Sequence, residues 1–153
     1  WCEHAPMRAS AINRAGIPVI GHIGLTPQTA SQLGGFKVQG KDAQSASNLM
    51  EHAVMLEKAG CFAVILECVP RDLAKKITAK LKVPTIGIGA GPDCDGQVLV
   101  THDMIGFFDK FVPKFVKKYA NIYPAVQEAI GLFRNEVETG KFPDDAHCFH
   151  SGK

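Results

Sequence analysis

The chain has 153 residues, 46% hydrophobic and 21% charged, with a formal net charge of +2. That composition suits one soluble domain with a real core and excludes fibrous and disordered classes. The charge is too small and too scattered to expect nucleic acid or an anionic membrane as a partner, and the pairs Lys75-Lys76 and Lys117-Lys118 read as solvated helix faces.

Residues 3–15 read as the tail of a helix, with Gly16 just past its end. Ile17 to Ile23 is short, β-branched and almost wholly apolar, the pattern of a buried strand. Residues 24–42 form a long loop rich in Gly, Thr, Gln and Pro, a length that usually signals function or disorder. Asp42 caps a helix over 43–59, whose apolar positions Ala46, Leu49, Met50, Ala53 and Leu56 share one face before Gly60 stops it. Phe62 to Cys68 is the second strand. Pro70 opens a short helix with Leu73, Ala74, Ile77 and Leu81 on its apolar stripe. Pro84 to Gly91 is a third strand running into a Gly-rich turn. A helix is expected near 95–104, a candidate fourth strand at Ile105 to Phe108, and a helical patch near 113–119. The spacing of Ala125, Val126, Ala129, Ile130, Phe133 and Val137 predicts an amphipathic helix over 123–139, ended by Gly140. Residues 141–153 read as a tail of this single partial domain.

Strands buried on both faces and alternating with helices imply an α/β fold with a parallel sheet. Three or four strands fit half of a (β/α)8 barrel or a small open sheet. A complete barrel takes about 250 residues, so this chain alone does not build one.

No apolar run approaches the roughly 20 residues that span a bilayer. The start, Trp1-Cys2-Glu3-His4, shows no secretory signal and no initiator Met, which raises the expectation of a fragment. The five cysteines (Cys2, Cys61, Cys68, Cys94 and Cys148) are odd in number and include no C-x-x-C. Reduced, packed thiols in the cytoplasm are expected, not a disulfide framework.

Glu67 is the most informative residue. It ends a buried run, Ala63-Val64-Ile65-Leu66, at the carboxyl end of a parallel strand, where barrels and open sheets bind ligands. A buried carboxylate costs several kcal/mol unless it is paired, a cost often borne where the group acts as a general base. The alternative is a structural salt bridge. Cys68 is expected on the opposite face, as packing. His22 holds the equivalent place on the preceding strand, either as a hydrogen-bonded structural residue or at the same mouth as Glu67. Gly87-Ile88-Gly89-Ala90-Gly91 is either a tight turn or a pocket wall, and it is not a dinucleotide fingerprint. Asp93 and Asp95 are read as caps of the next helix in preference to metal ligands. His147, Cys148 and His150 are read as part of an exposed tail, since a structural zinc needs four ligands in fixed geometry. No G-x-S-x-G elbow is present.

Several segments then resemble one family in order. Gly21-His22-Ile23-Gly24-Leu25-Thr26-Pro27-Gln28 is similar to the G-H-I/L-G-L-T-P-Q segment of ketopantoate hydroxymethyltransferases, and Gly34-Gly35-Phe36-Lys37-Val38-Gln39-Gly40 to their G-G-Y/F-x-V-Q-G loop. Leu66-Glu67-Cys68-Val69-Pro70 resembles L-E-C-V-P, and Ile86 to Gly91 resembles I-G-I-G-A-G. Asp95 to Val100, His102-Asp103, Pro113-Lys114-Phe115, Phe142-Pro143, His147 and Phe149-His150 continue the likeness.

The resemblance implies the last four strand-helix units of a (β/α)8 barrel, from an enzyme that forms large homo-oligomers. It implies hydroxymethyl transfer from 5,10-methylenetetrahydrofolate to the keto acid α-ketoisovalerate, giving ketopantoate for coenzyme A synthesis. It implies Mg²⁺ that chelates the keto acid, Glu67 as the base that removes the C3 proton, and His22 as a hydrogen-bonding partner of substrate or product. The family's metal and carboxylate-binding residues lie in an N-terminal half that has no counterpart here, so no metal ligand is assigned to this chain. Two rivals remain: a non-catalytic half-barrel that only completes a partner chain, and another enolate-forming barrel enzyme of the phosphoenolpyruvate/pyruvate group. The second would carry a different residue at position 67 and would not depend on tetrahydrofolate.

Overall fold

A computed structural model describes residues 4–27, 37–108 and 111–151. The chain packs as two compact units, Trp1–Leu99 and Val100–Lys153.

In the first unit, helix α1 (Ala5–Arg14) leads to strand β1 (Ile20–Gly24), helix α2 (Ala43–Lys58), strand β2 (Ala63–Glu67), helix α3 (Arg71–Lys80), strand β3 (Thr85–Ile88) and the two-residue strand β4 (Gly96–Gln97). All neighbours in the sheet are parallel, in the order β1-β2-β3-β4. The expected α/β pattern is present because the β1–β2 and β2–β3 crossovers each carry a helix with one apolar stripe, while β3 runs to β4 without one. Asp42 caps α2 as expected, its carboxylate accepting the Ser45 N–H at 2.9 Å. Gly60 closes α2 with a φ of 92°.

One face of the sheet meets the helices. Ile23, Val64 and Leu66 pack there with Ala53 and Leu56 of α2 and with Leu73, Ala74 and Ile77 of α3. Each large aliphatic side chain buried in this way contributes roughly 1.5–3 kcal/mol. The opposite face differs from expectation, since these strands are not buried on both sides. His22, Ile65, Glu67, Ile86 and Ile88 are half-buried, and Ile20 is 43% exposed. Strand alternation sends these residues to the side away from α2 and α3, where the first unit supplies no covering layer.

The expected helix over 95–104 is mostly absent. Asp95 does not cap it. Its Oδ2 accepts the Thr85 N–H at 2.8 Å and the Thr85 hydroxyl at 3.0 Å. Thr85 is completely buried, and its hydroxyl also meets that of Thr78 at 2.8 Å. This clamp draws Gly96 and Gln97 alongside β3, and Val98 N–H continues the pairing to the Gly87 carbonyl at 3.0 Å. Asp93 likewise leaves the capping role and pairs with Arg71 at 2.7 Å. Tertiary partners therefore override a local capping signal.

The Thr85 backbone N–H, then its hydroxyl, hold the Asp95 carboxyl below its ordinary value of 3.8. A depressed folded-state value means this contribution is complete above the unfolded value and fades as pH falls through the folded one. Wild type should therefore lose part of its stability below about pH 4, and Asp95→Asn should lack that component. Urea unfolding at pH 3 and pH 7 measures it. Identical pH dependence in the two proteins would remove Asp95 as the source.

In the second unit only Thr101–Met104 is helical near its start (α4). Ile105 to Phe108, the candidate fourth strand, is instead the exit of α4. Gly106 turns there, and Phe107 N–H reaches back to the His102 carbonyl at 2.8 Å. No helix forms at 113–119, where a single turn joins Val116 N–H to the Pro113 carbonyl. Helix α5 (Tyr123–Glu138) forms as predicted, yet none of its residues is buried, and Ile130, Phe133 and Val137 stay about half exposed or more. The segment after it folds onto itself. Phe142 lies edge-on to Phe133 and beside His147, within a short 3-10 turn, Asp145–His147.

Candidate active site

The strand register decides what meets at the carboxyl ends of β1 and β2. Gly24, not His22, holds the place equivalent to Glu67: His22 sits two residues before the end of β1, opposite Ile65. His22 and Glu67 are therefore diagonal neighbours on the half-buried face, within reach of long side chains. His22 Nε2 lies 2.9 Å from Glu67 Oε2. The distance is that of an ion pair, but the ring N–H does not aim at the oxygen well enough for an aligned hydrogen bond. Glu67 is 15% exposed and His22 33%, so the carboxylate is the more desolvated partner. A desolvated carboxylate with a basic partner close by and one side open to solvent can accept a proton from a bound molecule.

Cys68 does not continue the strand alternation. Its φ is 49°, a left-handed backbone that places it outside the pleat. Burial pushes its thiol up, and the Glu67 charge adds to the rise. A thiol held protonated at neutral pH is a poor nucleophile. Among the described residues Cys61, Cys68, Cys94 and Cys148 are all free thiols.

A cleft of about 150 Å³ adjoins His22. The end of β1, His22 included, Gln39 and the stripe Ser45, Asn48 and His52 on α2 line it. Glu67 itself is outside the lining. Burial pushes the His52 imidazole below its ordinary value. Sequence reading passed over this stripe. Its signal was the polar spacing of 45, 48 and 52, which sets one helix face beside the apolar one. The Gly87–Gly91 run does not line this cleft. Gly91 packs on the stem of Arg71 and Gly87 against Cys94, which supports the turn-and-packing reading. Gln28 and Gly34-Gly35-Phe36, parts of two motifs, lie outside the described residues.

The described residues include no group of three or more His, Cys, Asp or Glu side chains able to hold a metal ion. Mg²⁺ asks for near-octahedral oxygen ligands, and Glu67 with His22 does not make such a set. The tail residues do not converge either: His147 faces Asp144, His150 faces Asp145, and all are exposed. Among the described residues no helix is long and apolar enough to cross a membrane.

Comparison with known proteins agrees with the motif order. The family profile described as Ketopantoate hydroxymethyltransferase matches residues 3–145. The 3-methyl-2-oxobutanoate hydroxymethyltransferase of Moorella thermoacetica is 61% identical over 139 residues, covering 91% of this chain and 52% of that protein. The protein of the same name from Syntrophomonas wolfei is 58% identical, covering 91% and 50%, and that of Anaeromyxobacter sp. (strain K) is 55% identical, covering 92% and 46%. The chain thus spans about half the length of the curated relatives it matches. With motif order, parallel sheet and profile in agreement, this chain belongs to the ketopantoate hydroxymethyltransferase family of transferases.

Proposed function

We propose that this chain is the C-terminal half of a (β/α)8 barrel that transfers a hydroxymethyl group from 5,10-methylenetetrahydrofolate to 3-methyl-2-oxobutanoate, giving 2-dehydropantoate. The observation that carries this reading is the Glu67 carboxylate at the carboxyl end of β2, 2.9 Å from His22 and facing the side of the sheet without helices. Side chains at this end of barrel strands do the chemistry, and side chains on that face fill the barrel interior. The half-exposed Ile20, Ile65, Ile86 and Ile88 suit an interior whose other wall is carried elsewhere.

In this reading the Glu67 carboxylate takes the C3 proton of the keto acid. The electron pair left behind forms the new carbon–carbon bond to the one-carbon unit; over the whole reaction both carbon–nitrogen bonds of that unit to the folate break, one water supplies the hydroxyl oxygen, and tetrahydrofolate leaves with its nitrogens reprotonated. His22 steadies Glu67 and donates a hydrogen bond to substrate or product. Mg²⁺, as family cofactor, would supply Lewis-acid chelation of the keto acid. The described residues of this chain do not build its site, and its ligands belong to the N-terminal half. The whole enzyme works in the cytoplasm as a homo-oligomer, on small-molecule substrates.

The test is product formation from the two substrates by the full-length enzyme. 2-Dehydropantoate should accumulate, and its absence with correctly folded protein would sink the reading. His22→Ala should lower kcat/KM for the keto acid about 10–100-fold, the size of one lost hydrogen bond to a charged group. An unchanged kcat/KM would remove His22 from the substrate site.

A further inference from the structure

Glu67 sits in a backbone clasp that the proton-transfer chemistry above leaves unexplained. Its carbonyl accepts the Leu25 N–H at 2.8 Å. The next residue, Cys68, is the non-glycine residue with positive φ among those described, at 49°. Its carbonyl accepts the Gln39 N–H at 2.9 Å, and its N–H donates to the Ile88 carbonyl at 2.9 Å. Gly24 completes the clasp. Its φ is 91°, and a Cβ there would run into the Glu67 carbonyl oxygen. Two left-handed residues at the ends of neighbouring strands thus bring β1, β2, β3 and Gln39 onto the peptide units that carry Glu67. Left-handed backbone at a non-glycine residue is strained and persists only where its surroundings impose it.

We propose that Cys68 and Gly24 are positioning residues, acting through backbone conformation to aim the Glu67 carboxylate at the proton it removes. The inference rests on the reading of Glu67 as the base. The Cys68 thiol takes no part in it. A residue in ordinary extended conformation at 68 would rotate the Glu67–Cys68 peptide. The Gln39 and Ile88 bonds would break, and the carboxylate would leave its place beside His22. Misplacement of a base by about 1 Å is enough to cost on the order of a hundredfold in rate.

The test is a series at position 68 in the full-length enzyme, read by C3 deuterium exchange of 3-methyl-2-oxobutanoate. Cys68→Gly accepts a left-handed φ without strain, Cys68→Ala keeps the wild-type preference without the thiol, and Cys68→Val opposes that φ strongly. Gly and Ala variants should keep kcat within about twofold of wild type. The Val variant should lose about 10–100-fold in kcat, with KM for the keto acid within about twofold. A merely structural role would lower the fraction of active enzyme and leave the pH profile alone, so the Val variant's kcat–pH profile is recorded as well. A changed acid limb supports displacement of Glu67, and an unchanged profile overturns it. If Cys68→Val does not fold, the other two decide: a shared loss in folded Gly and Ala variants would assign the role to the thiol and overturn the proposal. Glu67→Gln separates the two readings. Exchange that survives in Glu67→Gln defeats the base assignment itself. Exchange lost in Glu67→Gln but intact in a folded Cys68→Val defeats only the positioning role.

Discussion

Glu67→Gln should abolish C3 deuterium exchange of 3-methyl-2-oxobutanoate in the full-length enzyme, a loss of about 10²–10⁴-fold, the usual size of a general-base contribution. Glutamine keeps the shape of the side chain and can still face His22, so the clasp around residues 67 and 68 survives. What disappears is the group able to accept the proton. The structural alternative, a salt bridge at a strand end, predicts a different outcome: a small change in stability and a near-normal exchange rate. Glu67 is partly exposed and its contact with His22 is not an aligned hydrogen bond, so the pair gives little independent stability. Thermal unfolding of the variant should stay close to wild type while exchange vanishes. Exchange within tenfold of wild type would remove Glu67 as the base.

The second large effect concerns the chain by itself. Residues 1–153 in isolation should show less than about one per cent of full-length turnover, because the keto-acid and metal ligands are assigned to the N-terminal half of the proposed barrel and effective positioning is lost without it. The isolated chain should also self-associate. β1 and β4 are the edges of the sheet, and one sheet face leaves Ile20, Ile65, Ile86 and Ile88 incompletely covered. Unpaired edges and contiguous apolar surface favour association with other chains. Sedimentation velocity and the exchange assay, run on the same preparation, measure both. Turnover near full-length levels from a monodisperse chain would overturn the half-barrel assignment and favour a self-sufficient open sheet.

Much of the architecture was legible in the sequence. Apolar runs bounded by Gly and Pro located β1, β2 and β3, and the 3.6-residue periodicity located α2, α3 and α5. Asp42 announced its cap correctly because its partner, Ser45, is three residues away and no distant group competes. The failures share one cause. Asp95 carries the same local signal as Asp42, but Thr85 lies within reach on β3 and wins the carboxylate, so a helix becomes strand β4. Ile105 to Phe108 has strand composition, yet the end of α4 claims its N–H groups.

The sequence by itself determined the α/β class, the place of Glu67 at a strand end, and the family, because periodicity and ordered motifs are local properties of the chain. Only the tertiary structure decided that the register sets His22 and Glu67 2.9 Å apart, that Cys68 turns left-handed beside them, and that one face of the sheet stays half open. Those facts depend on which residues of separate strands and loops come opposite one another, and on what covers them. Hydrogen-bond register and burial are non-local, and no short window of sequence contains them.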